Sequence, residues 1–301
     1  MHDEVGEAPG ADSPKNLSGQ TEVFFATDGG VAERPVVLFH HIQKTAGTAL
    51  RKLIRDNLPP SERSVGRVGR LRDRSEAELR AWYREWYSEL PPERRDAMCG
   101  VMAHTANHLL PVLDRPVRAL TVVRDPVDRA VSQYYFQKVN QGKPLGRTGN
   151  CPPEFYKQPH DSTLDDIYAE LGGGSPASSR IAFRHSRFFN GQSRSLLAPH
   201  HDTAELAYSE GPPADAEMWR ERLFSLLSER YLVGVQERFD DFVTELGERF
   251  GWRTFVARAK VNEARPQATE LPGETEQAIR AYNWLDDELH RRARERFLAR
   301  S

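Results

Sequence analysis

PVVLFHHIQKTAGTALRKLI, residues 35–54, passes from an apolar run through a short polar loop into a helical pattern. Val36, Val37, Leu38 and Phe39 follow a proline without interruption, the composition of a strand covered on both faces of a parallel sheet. His41 to Gly47 is polar and carries one lysine, and beyond it Leu50, Leu53, Ile54 and Leu58 recur at helical spacing. The order strand, loop, helix aims the first N–H groups of the helix out of the loop with the positive end of its dipole behind them, a seat for phosphate or sulfate. Lys44 adds a full positive charge there, and Thr45 and Thr48 add hydroxyl donors. In the nucleotide P-loop, GxxxxGK[ST], the lysine follows the glycine directly. Here Lys44 stands three residues before Gly47, so this is not a Walker A sequence.

The 301 residues, 38% of them hydrophobic, can bury one substantial core, and one large α/β domain is expected over two. A formal charge of −2 gives no general attraction to nucleic acid or to an anionic membrane. The two cysteines, Cys99 and Cys151, make neither a disulfide framework nor a zinc spacing, which suits a reducing compartment. No apolar run approaches the roughly 20 residues that cross a bilayer, and the acidic start MHDEVGEAPGADSPKN is unlike a signal peptide. A soluble, cytoplasmic, bacterial protein with no transmembrane segment is expected. Residues 1–33 are expected to form a disordered tail with a short edge strand at Thr21 to Ala26, and residues 34–301 the folded domain.

Farther along, Leu79, Trp82, Tyr83, Trp86, Tyr87 and Leu90 recur every three or four residues. This predicts an amphipathic helix whose aromatic stripe packs in the core, with one wall of an acceptor pocket as the alternative. Met98 to Ala103 is a second apolar run ending on His104, and His108 follows four residues later. Two histidines at that spacing on a helix can share a metal. HTANH lacks the glutamate of HExxH, however, and no third ligand follows, so no metal is expected. Val117 to Val123 reads as the third core strand. Arg124 ends it, Asp125 suits a helix N-cap, Pro126 suits the first turn, and Ala130, Val131, Tyr134 and Tyr135 supply an apolar face. An arginine at a second strand-to-helix junction is again an anion seat, although charges like those of RDPVDR more commonly form surface salt bridges.

HIQKTAGTAL resembles the loop written HIPKTGGTSL in carbohydrate sulfotransferases of the Golgi type and their bacterial relatives. VVRDPVDRAVSQYYF resembles the segment of that family that holds the 3′-phosphate of 3′-phosphoadenosine 5′-phosphosulfate (PAPS). The likeness runs in islands from about residue 35 to residue 298. It implies one P-loop-like α/β domain with a central parallel sheet flanked by helices, and transfer of a sulfuryl group from PAPS to a hydroxyl of a carbohydrate or small-molecule acceptor. By the same likeness Lys44 meets the bridging oxygen and sulfuryl group, and the loop of Lys44, Thr45, Ala46, Gly47, Thr48 and Ala49 grips the 5′-phosphosulfate. Arg124 and Ser132, eight residues apart, would hold the 3′-phosphate and so tell PAPS from ATP. After its second core strand the family carries a glycine and a histidine that takes the acceptor proton, which makes His104 the base, with His108 second. Two departures stand out. Gln43 replaces the usual proline, which alters loop stiffness, and three residues separate Gly100 from His104 where the family often has the pair adjacent.

RHSRFFNGQSRSLL, residues 184–197, resembles the family's NxQTRFLxG region, which places Asn190, Gln192 and Arg194 near the nucleotide or acceptor. ERFDDF, residues 237–242, resembles its GLTERFDEFL. Residues 140–180 read as loop-rich with a short helix near Leu164 to Leu171, and a last helix is expected from Glu274 to Leu298. The scheme requires no metal. A carbohydrate, a lipid-linked sugar and a secondary metabolite remain equal as acceptors, and nothing in the composition speaks to oligomeric state. One rival is a P-loop kinase using ATP and magnesium, disfavoured because GK[ST] and an acidic magnesium ligand are missing. The other is a non-catalytic binding module on the same fold.

Overall fold

The computed structural model describes residues 22–25, 35–58, 63–65, 75–140, 163–164, 167–168, 188–203, 205–207, 209–254 and 271–299. The strands are β1 (Glu22–Phe25), β2 (Val36–His40), β3 (Arg63–Val65), β4 (Met98–Ala103), β5 (Val117–Val123) and β6 (Tyr231–Val235). They form one sheet in the order β3-β1-β4-β2-β5-β6. β4, β2, β5 and β6 run parallel, which is the predicted α/β fold with a central parallel sheet flanked by helices. The apolar run of β2 has its physical reason here, since all five of its residues are buried between two neighbouring strands. β1 falls in the segment expected at a sheet edge, yet it pairs antiparallel on both sides, with β3 and with β4.

Helix α1 (Gly47–Asn57) buries Leu50, Leu53 and Ile54, and the chain turns extended at Leu58, the residue before a proline. Helix α2 (Glu76–Glu89) starts in a capping box. The Ser75 hydroxyl accepts from the Glu78 N–H, and the Glu78 carboxylate accepts from the Ser75 N–H. Its Leu79, Tyr83 and Tyr87 are buried in the main core, so the aromatic stripe is packing. A short helix, α3 (Pro92–Asp96), leads into β4. Helix α4 (Pro126–Asn140) is capped as its sequence predicts, by Asp125, whose Oδ1 accepts from the N–H groups of Val127 and Asp128 at 2.9 and 3.0 Å.

Helices α5 (Gly191–Leu197), α6 (Ala216–Arg230) and α7 (Phe239–Phe250) follow, then α8 (Gly273–Tyr282) and α9 (Trp284–Leu298). The expected single helix from Glu274 to Leu298 is therefore two, broken at Asn283. The buried Asn283 side chain supports the break. Its Oδ1 accepts from the Asn190 N–H at 2.9 Å and its Nδ2 donates to the Ile279 carbonyl at 2.8 Å. A second core cluster packs Val127, Ala130 and Val131 of α4 against Phe188, Phe189, Ile279 and Tyr282. Leu164, Ile167 and Tyr168, from the helix expected near Leu164 to Leu171, join it. Apart from β1, the expected N-terminal tail of residues 1–33 lies outside the described residues, as do most of residues 140–180. No helix among the described residues is long and apolar enough to cross a membrane.

Gly234 in β6 faces Phe242 so closely that a Cβ would lie 2.3 Å from the ring Cδ1. Gly234→Ala is expected to destabilise the fold by about 1–3 kcal/mol through overpacking. The check is urea unfolding, with a lower midpoint at an unchanged slope.

Candidate active site

Because β2 lies between β4 and β5, the loop that leaves its C-terminal end is flanked by the ends of both neighbours. Such a crevice is where open parallel sheets bind ligands. The loop is fastened from each side. On the β4 side the His41 N–H donates to the Ala103 carbonyl at 3.0 Å, and His104 Nδ1–H donates to the His41 carbonyl at 2.5 Å. On the β5 side Arg124 Nη1 donates to the Lys44 carbonyl at 3.2 Å. Between these anchors Lys44 and Ala46 adopt left-handed φ angles of 69° and 63°. Each such non-glycine residue is strained by on the order of 1–3 kcal/mol and persists only where its surroundings dictate it.

The predicted phosphate loop is only partly turned outward. The buried Thr45 hydroxyl donates back to the Ile42 carbonyl at 2.9 Å, so it staples the loop. The Ala49 N–H donates to the carbonyl of Ala46, the N-cap residue of α1, whereas Thr48 is exposed on the first turn. Gly47 is needed for close approach, since a Cβ there would sit 1.8 Å from His41 Cδ2. Lys44 is half-buried and its Nζ lies 4.0 Å from the centroid of Phe136 on α4, a cation–π contact. Arg124 is 8% exposed, and beside its bond to Lys44 its Nη2 pairs with Asp128 at 3.2 Å. Ser132, half-buried, is one helical turn beyond Asp128 and shares its face of α4.

His104, at the end of β4, lines a cavity of about 230 Å³ together with His41, Gln43, Arg129, Gln133 and Arg194. None of the α2 aromatic stripe lines it. The rings of His41 and His104 stack at 4.2 Å. Since a carbonyl only accepts, the bond to His41 keeps a proton on His104 Nδ1, and in the neutral ring Nε2 carries the lone pair. His108 lies elsewhere. It belongs to a short 3-10 helix (Ala106–Leu109), is buried against the Tyr83 ring at 5.9 Å, and donates through Nδ1 to the Thr105 carbonyl at 3.1 Å.

A family model described as a sulfotransferase domain matches residues 70–174. The match supports a sulfotransferase family. It takes in β4, His104, β5, Arg124 and α4, and begins beyond the Lys44 loop. No curated protein matches the chain.

Behind the matched segment stands a support that sequence spacing did not reveal. Asn190, expected near nucleotide or acceptor, is instead an interior brace, accepting through Oδ1 from the Leu285 N–H at 2.9 Å and donating through Nδ2 to the Leu206 carbonyl at 3.1 Å. Gln192 brackets the backbone of Arg124. Its Oε1 accepts from the Arg124 N–H at 2.9 Å and its Nε2 donates to the Arg124 carbonyl at 2.8 Å. Of the three residues of this segment, Arg194 reaches the cavity, with its Nε on the Thr203 carbonyl at 3.1 Å. The fully buried Asp286 of α9 accepts from the N–H groups of Gln192 and Ser193 at 3.0 and 2.7 Å and so fixes the start of α5. An aspartate in the first turn of a helix ordinarily serves that helix's own dipole. Nothing in its local pattern marked this one as facing another helix.

Burial first, then the charges of His104, Arg51, His40 and Lys44, pushes the His41 ring down to about 2. Burial, then His108 and His104, pushes His40 down to about 3. Both rings stay neutral in the folded chain, whereas in the unfolded chain they take up protons at about 6.5. Stability is therefore full above that value and is lost as pH falls below it, by up to about 1.4 kcal/mol per pH unit for each ring. Urea unfolding at about pH 7.5 and about pH 5 is expected to give a lower midpoint in acid. Equal midpoints would contradict the neutral burial of these rings.

Proposed function

We propose that the chain transfers a sulfuryl group from PAPS to the hydroxyl of a carbohydrate or small-molecule acceptor, with His104 as the base. The sulfotransferase-domain match supports sulfuryl transfer in general. The observation that carries the choice of donor is the bond from Arg124 Nη1 to the Lys44 carbonyl at 3.2 Å. It makes neighbours of two cationic junctions, one suited to the 5′-phosphosulfate and one to the 3′-phosphate of the same nucleotide. The left-handed residues of the loop support this assignment, because strain of that kind collects where a loop must keep one shape.

In the proposed reaction the acceptor oxygen attacks sulfur in line. The new O–S bond forms as the S–O bond to the 5′-phosphate breaks, and the electron pair leaves on adenosine 3′,5′-bisphosphate. Lys44 Nζ balances the charge that grows on the departing oxygen, after turning from the Phe136 ring toward the loop. The contact it gives up is worth only about 0.5–1 kcal/mol at an exposed ring. The acceptor proton passes to His104 Nε2, whose lone pair follows from the bond at Nδ1. The Arg124 guanidinium, which pairs with Asp128 through Nη2, and the Ser132 hydroxyl receive the 3′-phosphate. Such transfer asks little covalent work of the protein, so positioning and charge account for most of the catalysis.

Lys44→Ala is expected to raise the barrier by about 2.7–4 kcal/mol, a loss of roughly 10²–10³ in turnover of labelled sulfate from PAPS. Unchanged turnover would remove Lys44 from the mechanism. Arg124→Ala should weaken calorimetric binding of adenosine 3′,5′-bisphosphate far more than that of adenosine 5′-phosphate, and equal losses would exclude a 3′-phosphate contact.

A further inference from the structure

His40 ends the otherwise apolar strand β2, and its side chain is wholly buried. Burial keeps the ring neutral by pushing it down to about 3. A polar ring in such a place costs free energy unless its nitrogens are used. Nε2 is used, since it lies 2.9 Å from the Ser195 hydroxyl of α5. Nδ1 is without a hydrogen-bond partner among the described residues, and the His104 backbone exerts the weakest of the influences on the ring. Ser195 lines the His104 cavity and has no part in the transfer described above. A serine inside a helix commonly turns its hydroxyl back onto a carbonyl of the preceding turn. This one is held on the sheet instead, and its main chain is pinned as well, because Asn107 Nδ2 donates to the Ser195 carbonyl at 2.7 Å. A hydroxyl has one proton and two lone pairs. The bond to His40 engages one of these, whichever ring nitrogen carries the proton, and the half-buried oxygen offers the rest to the cavity.

We infer that, at the transfer site proposed above, Ser195 selects the acceptor by bonding a second hydroxyl of the same molecule while the reacting hydroxyl faces His104. His40 is a positioning residue that fixes Ser195 Oγ on the cavity wall. A hydroxyl is the partner that fits, because it can donate or accept and so answers whichever valence His40 leaves. An acceptor with a single hydroxyl would cover the Ser195 oxygen with apolar surface, strip its water and give nothing in return. The selectivity therefore comes from a buried imidazole at the end of β2, which holds a serine of α5 in one place before the acceptor arrives.

The test is sulfuryl transfer from labelled PAPS by the full chain to two small probes that a cavity of about 230 Å³ admits, glycerol and propan-1-ol. Counted per primary hydroxyl, kcat/KM is expected to be about fivefold or more higher for glycerol, with most of the difference in KM. Ser195→Ala should abolish that preference, and His40→Leu, which keeps the serine but removes its anchor, should reduce it. Calorimetric affinity for adenosine 3′,5′-bisphosphate should stay native in both variants, which separates a lost preference from a lost fold. Equal kcat/KM for the two probes in the native chain would overturn the inference without recourse to a variant, as would a preference that survives Ser195→Ala. Transfer to neither probe by a chain that binds the bisphosphate would also overturn it while leaving the donor assignment standing. A native chain that binds no bisphosphate would overturn the donor assignment itself, and the role of Ser195 with it.

Discussion

Two carbonyls of the loop after β2 carry the architecture of the site. The His41 carbonyl accepts from His104 at the end of β4, and the Lys44 carbonyl accepts from Arg124 at the end of β5. Each bond uses a side chain that also carries the proposed chemistry, so the groups that shape the loop are those a substrate would meet. The arrangement depends on strand order. Only a loop leaving the strand between β4 and β5 can be reached from both sides by side chains of its neighbours. Strained φ angles at Lys44 and Ala46 persist because the loop is tied at both flanks and stapled within by Thr45.

Behind the loop lies a buried polar frame. Asp286 holds the start of α5, α5 presents Gln192, and Gln192 grips both backbone polar groups of Arg124. In a low-dielectric interior such bonds are strong when complete, and an incomplete one is costly. Most members of this frame are satisfied within it. Arg129, ion-paired with Asp286 at 3.7 Å, and Gln133 stand at its edge on the cavity.

Much of this was legible in one dimension. Apolar runs marked β2 and β4, because a strand covered on both faces needs no polar alternation. Asp125 and Pro126 marked the start of α4 through local capping chemistry. The break at Asn283 was not legible, since the apolar spacing of α8 and α9 continues across it and the bonds that stabilise it come from Asn190 and Ile279. For the same reason the spacing that placed Asn190 and Gln192 near nucleotide or acceptor did not show that their side chains bond to backbone groups. A polar side chain near a motif has the same appearance whether it meets substrate or backbone.

The amino-acid order alone determined the α/β class, the strand-to-helix junctions at Lys44 and Arg124 and the apolar faces of the helices, because each depends on neighbours a few residues apart. Tertiary structure decided which junctions meet, that His104 and not His108 lines the cavity, and that Arg129 and Gln133 share it. Those outcomes follow from strand order and from contacts between residues as distant as 192 and 286, and no local pattern encodes such distances.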